Sequence, residues 1–213
     1  ACIARTERFR AALLHGGHEV DVCSPSNDLE SVGVIQELLG KNRWSCIVSI
    51  SPHPAELTVL TGTGLPMWID MNGMHPAEVH LSGDSPGEPR LEMIRILSLQ
   101  NTLLSRGDFF SAPSGRQTCA LMGELYLLGR LGADSRGIVP VRAVPHCAMD
   151  APMSVGPPEG SGEFSIISTG SFNSWFDGET LFRALEYAME RNPDITFTAA
   201  GGAVPFAREQ YDS

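Results

Sequence analysis

Residues 165–203 read SIISTGSFNSWFDGETLFRALEYAMERNPDITFTAAGGA. An apolar run stops at Gly170, a polar loop follows, a helical stretch comes next, and a second apolar run stops at Gly201-Gly202. That succession reads as a strand, a ligand-binding turn, a helix and a second, parallel strand. Gly170 lets the backbone turn closely, and Asp177 stands where a helix cap belongs. Leu181, Ala184, Leu185, Ala188 and Met189 share one helical face, which Asn192-Pro193 ends. The turn's N–H groups and the helix dipole would attract a phosphate. Phe172, Trp175 and Phe176 read either as core or as a contact between domains. Neither G-x-G-x-x-G nor a Walker G-x-x-x-x-G-K occurs, so neither a dinucleotide fingerprint nor a P-loop is supported.

The same alternation runs through the chain ahead of this unit. A helix with Phe9, Ala12 and Leu13 on one face ends at Gly16-Gly17, and His18–Val22 reads as a short strand. Leu29–Leu39 reads as a helix with Val32, Ile35, Leu38 and Leu39 inward. Ser45–Ile50 and Leu65–Asp70 are apolar enough to be parallel strands buried on both faces, with a short helix, Glu56–Leu60, between them. A Gly/Pro-rich loop from Ser82 to Pro89 leads to a helix at Leu91–Ser105 and a strand at Asp108–Ser111. An apolar helix, Arg116–Leu131, and a strand, Ile138–Val144, complete the series. The stretch CAMDAPMSVGPPEGSGEF has no hydrophobic period and marks the domain boundary. The reading is therefore α/β: a Rossmann-like domain over 1–147 with a parallel sheet and helices on both faces, a linker over 148–163, and one βαβ unit of a second Rossmann-like domain over 164–213. A strand normally feeds the first helix, and one βαβ unit cannot cover both faces of its sheet. A strand is accordingly expected before Ala1, and the second domain is expected to be cut short.

Composition bounds the function. The 213 residues are 42% apolar and 19% charged, enough for a packed core. A net charge of −10 argues against a nucleic-acid partner, which requires a basic face. No apolar run approaches bilayer length and no signal peptide is evident. The five cysteines form no C-x-x-C pair and read as small buried thiols in a reducing compartment.

Ligands of open parallel sheets bind beyond the carboxyl ends of the strands. Two turns there carry the same tetrapeptide, His-Pro-Ala-Glu, at 53–56 and 75–78. A proline and a glutamate in a first turn are sound helix-start chemistry. The functional content lies in His53, Asp70, Asn72 and His75, which would line one rim, where a histidine can act as acid, base or hydroxyl partner. Asp70, His75 and His80 lack tight ligand spacing of the H-E-x-x-H kind, so no metal is expected. His146 and Cys147 are adjacent on an extended segment and point to opposite sides, a poor arrangement for a thiol–imidazole pair.

These pieces together resemble a glycosyltransferase of the GT-B type, in the large retaining family 4. GGHEVDVCSP is similar to that family's early helix–strand junction, and FSAPSGRQTCALMGELYLLGRL to its penultimate N-domain strand and helix. VRAVPHCAMD resembles the turn before the interdomain linker, and 167–203 the donor-side βαβ unit. The resemblance implies two Rossmann-like domains facing across a cleft, and transfer of a glycosyl group with retention from a nucleotide diphosphate sugar to an acceptor. It implies donor-binding roles for Gly170, Ser171, Phe172, Asn173, Gly201 and Gly202, acceptor-side roles for His53, Asn72 and Gly73, and catalytic roles for His75 and Asp70. No cofactor is implied beyond the donor itself. The acceptor would be a carbohydrate or lipid-linked, in a cytoplasmic protein that meets the inner membrane face through it. Two departures stand out. The family often has Gly-Arg and Lys-Gly at the donor turn, where this chain has Gly170-Ser171 and Asp177-Gly178. Its usual His-Gly is here Asn72-Gly73, with His75 following. The family's acidic pair is expected beyond Ser213, which would leave the chain as given inactive. Alternatives are a sugar-nucleotide epimerase of the same fold and a non-catalytic module that binds a sugar nucleotide or a protein.

Overall fold

The computed structural model describes residues 2–24, 30–41, 43–81, 88–146, 164–170 and 177–201. The chain divides into two compact units, Ala1–Pro76 with Arg90–Ala148, and Ala77–Pro89 with Met149–Ser213. In chain order the elements are α1 (Cys2–His15), α2 (Glu30–Lys41), β1 (Ile47–Ile50), α3 (Pro52–Leu60), β2 (Met67–Asp70), α4 (His75–Leu81), α5 (Pro89–Arg106), β3 (Phe109–Ala112), α6 (Gly115–Leu127), a 3-10 turn (Ala133–Ser135), β4 (Val141–Ala143), β5 (Phe164–Thr169), α7 (Gly178–Arg191) and β6 (Ile195–Ala200).

In the first unit β1, β2, β3 and β4 form one parallel sheet in chain order. Ile47 pairs with Met67, Trp68 with Phe109, and Phe110 with Val141. Strand alternation sorts the side chains onto two faces. Met67, Ile69, Met71, Phe110, Ala112 and Val141 face one way and meet Ala55 of α3, Leu99, Leu103 and Leu104 of α5, and Leu121 and Leu125 of α6. This is the dry layer of the unit; Ile69, Leu103 and Leu104 are completely inaccessible. Trp68 and Asp70 of β2 and Phe109 and Ser111 of β3 face the other way. There α1 covers them, with Phe9 edge-on to Trp68 at 5.1 Å and Trp68 edge-on to Phe109 at 5.4 Å. The fold is thus α/β, a four-stranded parallel sheet flanked by helices.

The amino edge of the sheet is tied by arginines. Arg106 donates to the Thr63 and Leu65 carbonyls at 2.6 and 2.8 Å. Arg130 donates to Leu104 and Gly107 at 2.8 and 2.9 Å, satisfying carbonyls at the end of α5. Helix α6 stops at Leu127 rather than Leu131. Gly129 turns left-handed at φ +68° and the Arg130 N–H bonds back to the Leu125 carbonyl, a Schellman closure.

In the second unit β5 and β6 pair in parallel, from Phe164 with Ile195 to Thr169 with Ala200. Helix α7 packs on them through the buried Leu185 and an edge-on Phe182–Phe197 contact at 6.3 Å.

Three expectations need correction. His18–Val22 is not a strand; no strand among the described residues pairs with it, and its alternating acidic and apolar residues are mostly exposed. An isolated short extended segment gains too little to hold a ladder. The strand expected over Ile138–Val144 shortens to Val141–Ala143, beginning just after Pro140. Cys23, Cys46 and Cys119 are exposed free thiols rather than buried ones, because each lies outside the packed faces of the sheet and its helices. The 148–163 linker lies outside the described residues.

Candidate functional site

The carboxyl edge of the four-stranded sheet carries His53, Asp70, Asn72, Gly73 and His75, and its geometry begins with two non-glycine residues at positive φ. Ser51 follows β1 with φ 84° and ψ 149°, a region populated almost only by glycine. Its N–H continues the parallel ladder to the Asp70 carbonyl at 2.8 Å, and its own carbonyl receives the Ala55 N–H at 3.3 Å. Asn72 follows β2 at φ 55°, and the Gly73 N–H folds back to the Met71 carbonyl at 2.6 Å. Asparagine is the side chain that tolerates this conformation best after glycine. Each strained residue reverses the chain abruptly, and a His-Pro step then starts the next helix.

The consequence is convergence of the two tetrapeptides. Because β1 and β2 are sheet neighbours in register, their exit turns are neighbours too. The His53 and His75 rings lie with centres 6.4 Å apart, tilted at 51°. His53 is 40% exposed, and its Nδ1 stands 3.8 Å from Glu56 Oε2. His75 is half-buried and, with Pro52, Met71, Ile96, Leu99 and Gln100, lines a narrow crevice beside the rim. Gln100 is itself buried and its amide donates to Glu124.

Asp70 has a different place. Its carboxylate is fully buried and takes a bidentate fork from Arg5, Nε to Oδ2 at 2.6 Å and Nη2 to Oδ1 at 2.7 Å. Ser111 Oγ–H adds a bond to Oδ1 at 2.6 Å and in turn accepts from Trp68 Nε1–H at 2.9 Å. Arg5 also donates to the Val144 carbonyl at 2.8 Å and to that of Pro145 at 3.4 Å. His146 Nδ1 lies 3.4 Å from Arg5 Nη1. A buried carboxylate with this many charge-assisted donors is a tie between the ends of β2 and β4. It supports the rim without presenting an oxygen to a reactant. Arg5 was not among the residues singled out from the sequence. The signal was available: Arg5 lies one helical turn ahead of Phe9, on the inward stripe of α1, and an inward arginine demands an inward acid.

In the second unit Gly170 has φ +144° and its N–H bonds to the Ala200 carbonyl at 3.0 Å. A Cβ on Gly201 would stand 1.6 Å from the Gly170 carbonyl oxygen, so the two strand ends touch through bare backbone. The first turn of α7 is capped by its own residue: Asp177 Oδ1 accepts the Thr180 N–H at 3.0 Å. That bond holds the Asp177 carboxyl below the usual aspartate range. The N-terminus of α7 therefore already carries an anion. Ser171, Phe172, Asn173 and Gly202 lie outside the described residues, as does Cys147. Among the described residues no group of three or more His, Cys, Asp or Glu side chains is placed to hold a metal ion. No described helix is long and apolar enough to cross a membrane. No protein-family model matches the chain, and no curated protein matches it.

Proposed function

We propose that the protein is a glycosyltransferase of two Rossmann-like units, taking a sugar from a nucleotide diphosphate to a hydroxyl acceptor. The observation that carries this reading is the pair of imidazoles held 6.4 Å apart at the carboxyl edge of a parallel sheet, the edge where such sheets bind ligands. The second parallel unit supports it, since its strand ends meet at Gly170 and Gly201 with room for no side chain. The reading assigns the acceptor to His53, Asn72, Gly73 and His75, and the donor to the strand ends of the second unit.

In the reaction the acceptor oxygen bonds to the anomeric carbon while the bond from that carbon to the diphosphate oxygen breaks. The electron pair leaves with the diphosphate, and the acceptor proton passes to a base. A half-exposed imidazole is suited to orient the hydroxyl and take that proton. Asp70 acts at one remove, by holding the turn that carries Asn72 and His75. The membrane-facing, carbohydrate-assembly setting belongs to the same proposal. Incubating the full-length protein with UDP-, GDP- and ADP-linked hexoses and a panel of polyols should release nucleoside diphosphate and form a glycoside. A new sugar nucleotide without acceptor consumption would instead identify an epimerase.

A second reading has one observation in its favour. Asp177 places a carboxylate at the first turn of α7, where a transferase needs positive charge for the leaving diphosphate. A module that binds a sugar nucleotide without cleaving it would tolerate this better. Binding without diphosphate release would establish it.

A further inference from the structure

Strand β4 is three residues long and lies at the edge of the four-stranded sheet, so its ladder alone holds little of its carboxyl end. The backbone contributes one bond there, from the Val144 N–H to the Ala112 carbonyl at 2.8 Å. A second anchor is a side chain. Arg5 Nη2 donates to the Val144 carbonyl at 2.8 Å, and Nη1 lies 3.4 Å from both the Pro145 carbonyl and His146 Nδ1. The guanidinium is fixed from behind, because Nε and Nη2 fork onto the buried Asp70 carboxylate. Three consecutive residues are thus laid on one immobile cation. Pro145 and His146 are otherwise exposed, and they lead into the stretch that reads as a linker.

We infer that His146 is a pH-sensitive latch on this exit: the neutral ring accepts from Arg5 and holds 144–146 against the sheet, and the protonated ring releases them. A guanidinium has donors only, so the contact needs a lone pair on Nδ1, which places the neutral ring's proton on Nε2. Protonation replaces that lone pair with a second donor and sets two positive charges face to face. No neighbouring acid is open to offset them. The described charged residues on the adjoining elements are Arg5, Glu7, Arg8 and Arg10 of α1, Asp70 of β2, Arg116 and Glu124 of α6, and Arg142 of β4. Asp70 is taken by Arg5 and Ser111, Glu7 faces Arg10 at 3.5 Å, and Glu124 accepts from Gln100. The latch is therefore closed while the ring is neutral and opens as pH falls through the imidazole range, about pH 8 to 5. It acts within the first unit and does not depend on the transferase reading.

The test is amide hydrogen exchange of the full chain, read by NMR at pH 7.5 and pH 5.5 as protection factors corrected for the intrinsic rate. The Val144 amide reports the latch, and the Phe110 amide, bonded to the Pro140 carbonyl at 2.7 Å, reports the sheet as a control. Protection at Val144 should fall about fivefold at the lower pH, the loss of one hydrogen bond, while Phe110 holds. His146→Gln keeps a neutral acceptor at both pH values and should remove the difference. His146→Ala has no acceptor and should show the lower protection at both. The ring is exposed, so neither variant disturbs the core. Equal protection of Val144 at the two pH values in the wild type overturns the inference. So does a drop that persists in His146→Gln, which would assign the response to a carboxylate, or a parallel drop at Phe110, which would mean loosening of the whole sheet.

Discussion

Replacing Arg5 by alanine should be the most damaging single change to the first unit. Its guanidinium is 5% exposed and its partner Asp70 is 0% exposed, so the pair has no solvent to fall back on. The substitution removes both arms of the fork on Asp70 and the donors to Val144 and Pro145, and leaves a carboxylate in the interior with Ser111 alone. Breaking a buried pair from one side costs about 3–5 kcal/mol. A domain holds only about 5–15 kcal/mol in total. With a urea dependence of about 2 kcal/mol per molar, the midpoint should fall by about 2 M. Of the three tryptophans, Trp44 and Trp68 belong to the first unit, so fluorescence in a Trp175→Phe background reports that unit alone. Arg5→Met combined with Asp70→Leu should recover most of the loss, because a matched apolar pair needs no desolvation. The Ser111 hydroxyl, deprived of its acceptor, should keep about 1 kcal/mol of the deficit. A drop of less than about 1 kcal/mol for Arg5→Ala would refute the account, because an exposed pair behaves that way and a buried one does not.

Three further outcomes follow from local geometry. Gly107→Ala would place a Cβ 2.6 Å from the Phe110 ring and 2.9 Å from Ile69 Cδ1, both buried, and should cost about 1–3 kcal/mol by urea denaturation. Ser51→Gly should stabilise the first unit by about 1 kcal/mol, since glycine adopts φ 84°, ψ 149° without strain; a loss of stability would show that the Ser51 side chain holds the turn. The Asp177 carboxyl, lowered by its bond to Thr180, should titrate below the ordinary aspartate range. A depressed folded value means its contribution to α7 is present above the unfolded pKa and is lost as pH falls through the folded one. NMR of the Thr180 amide should therefore report fraying of α7 on acidification, and Asp177→Asn should abolish that dependence.

The architecture was legible wherever an apolar run was closed by glycine or proline. β5, α7 and β6 begin and end where Gly170, Asp177, Asn192-Pro193 and Gly201 place them. β1 and β2 were legible because a strand buried on both faces reads as an unbroken apolar run. His18–Val22 misled because alternation is a local signal and a strand needs a neighbour. The rim was half legible. His53 and His75 stand out as a repeated tetrapeptide after two strands, and sheet adjacency brings them together. Asp70 carries the same surface signature, an acid at a strand end, but its direction depends on which face α1 covers, and that is a tertiary fact. Ser51 and Asn72 gave no warning, since their positive φ is imposed by the ladder on one side and the prolines on the other. Cys46 and Cys119 sit beside apolar runs yet outside the packed faces, a distinction that composition does not carry.

The central claim is that this protein binds a sugar nucleotide, and calorimetric titration with UDP-, GDP- and ADP-linked hexoses tests it most directly. The account predicts that one donor binds saturably, with a Kd between about 1 μM and 1 mM, the range in which enzymes commonly meet their substrates. No saturable heat from any of them at concentrations well above 1 mM would contradict it.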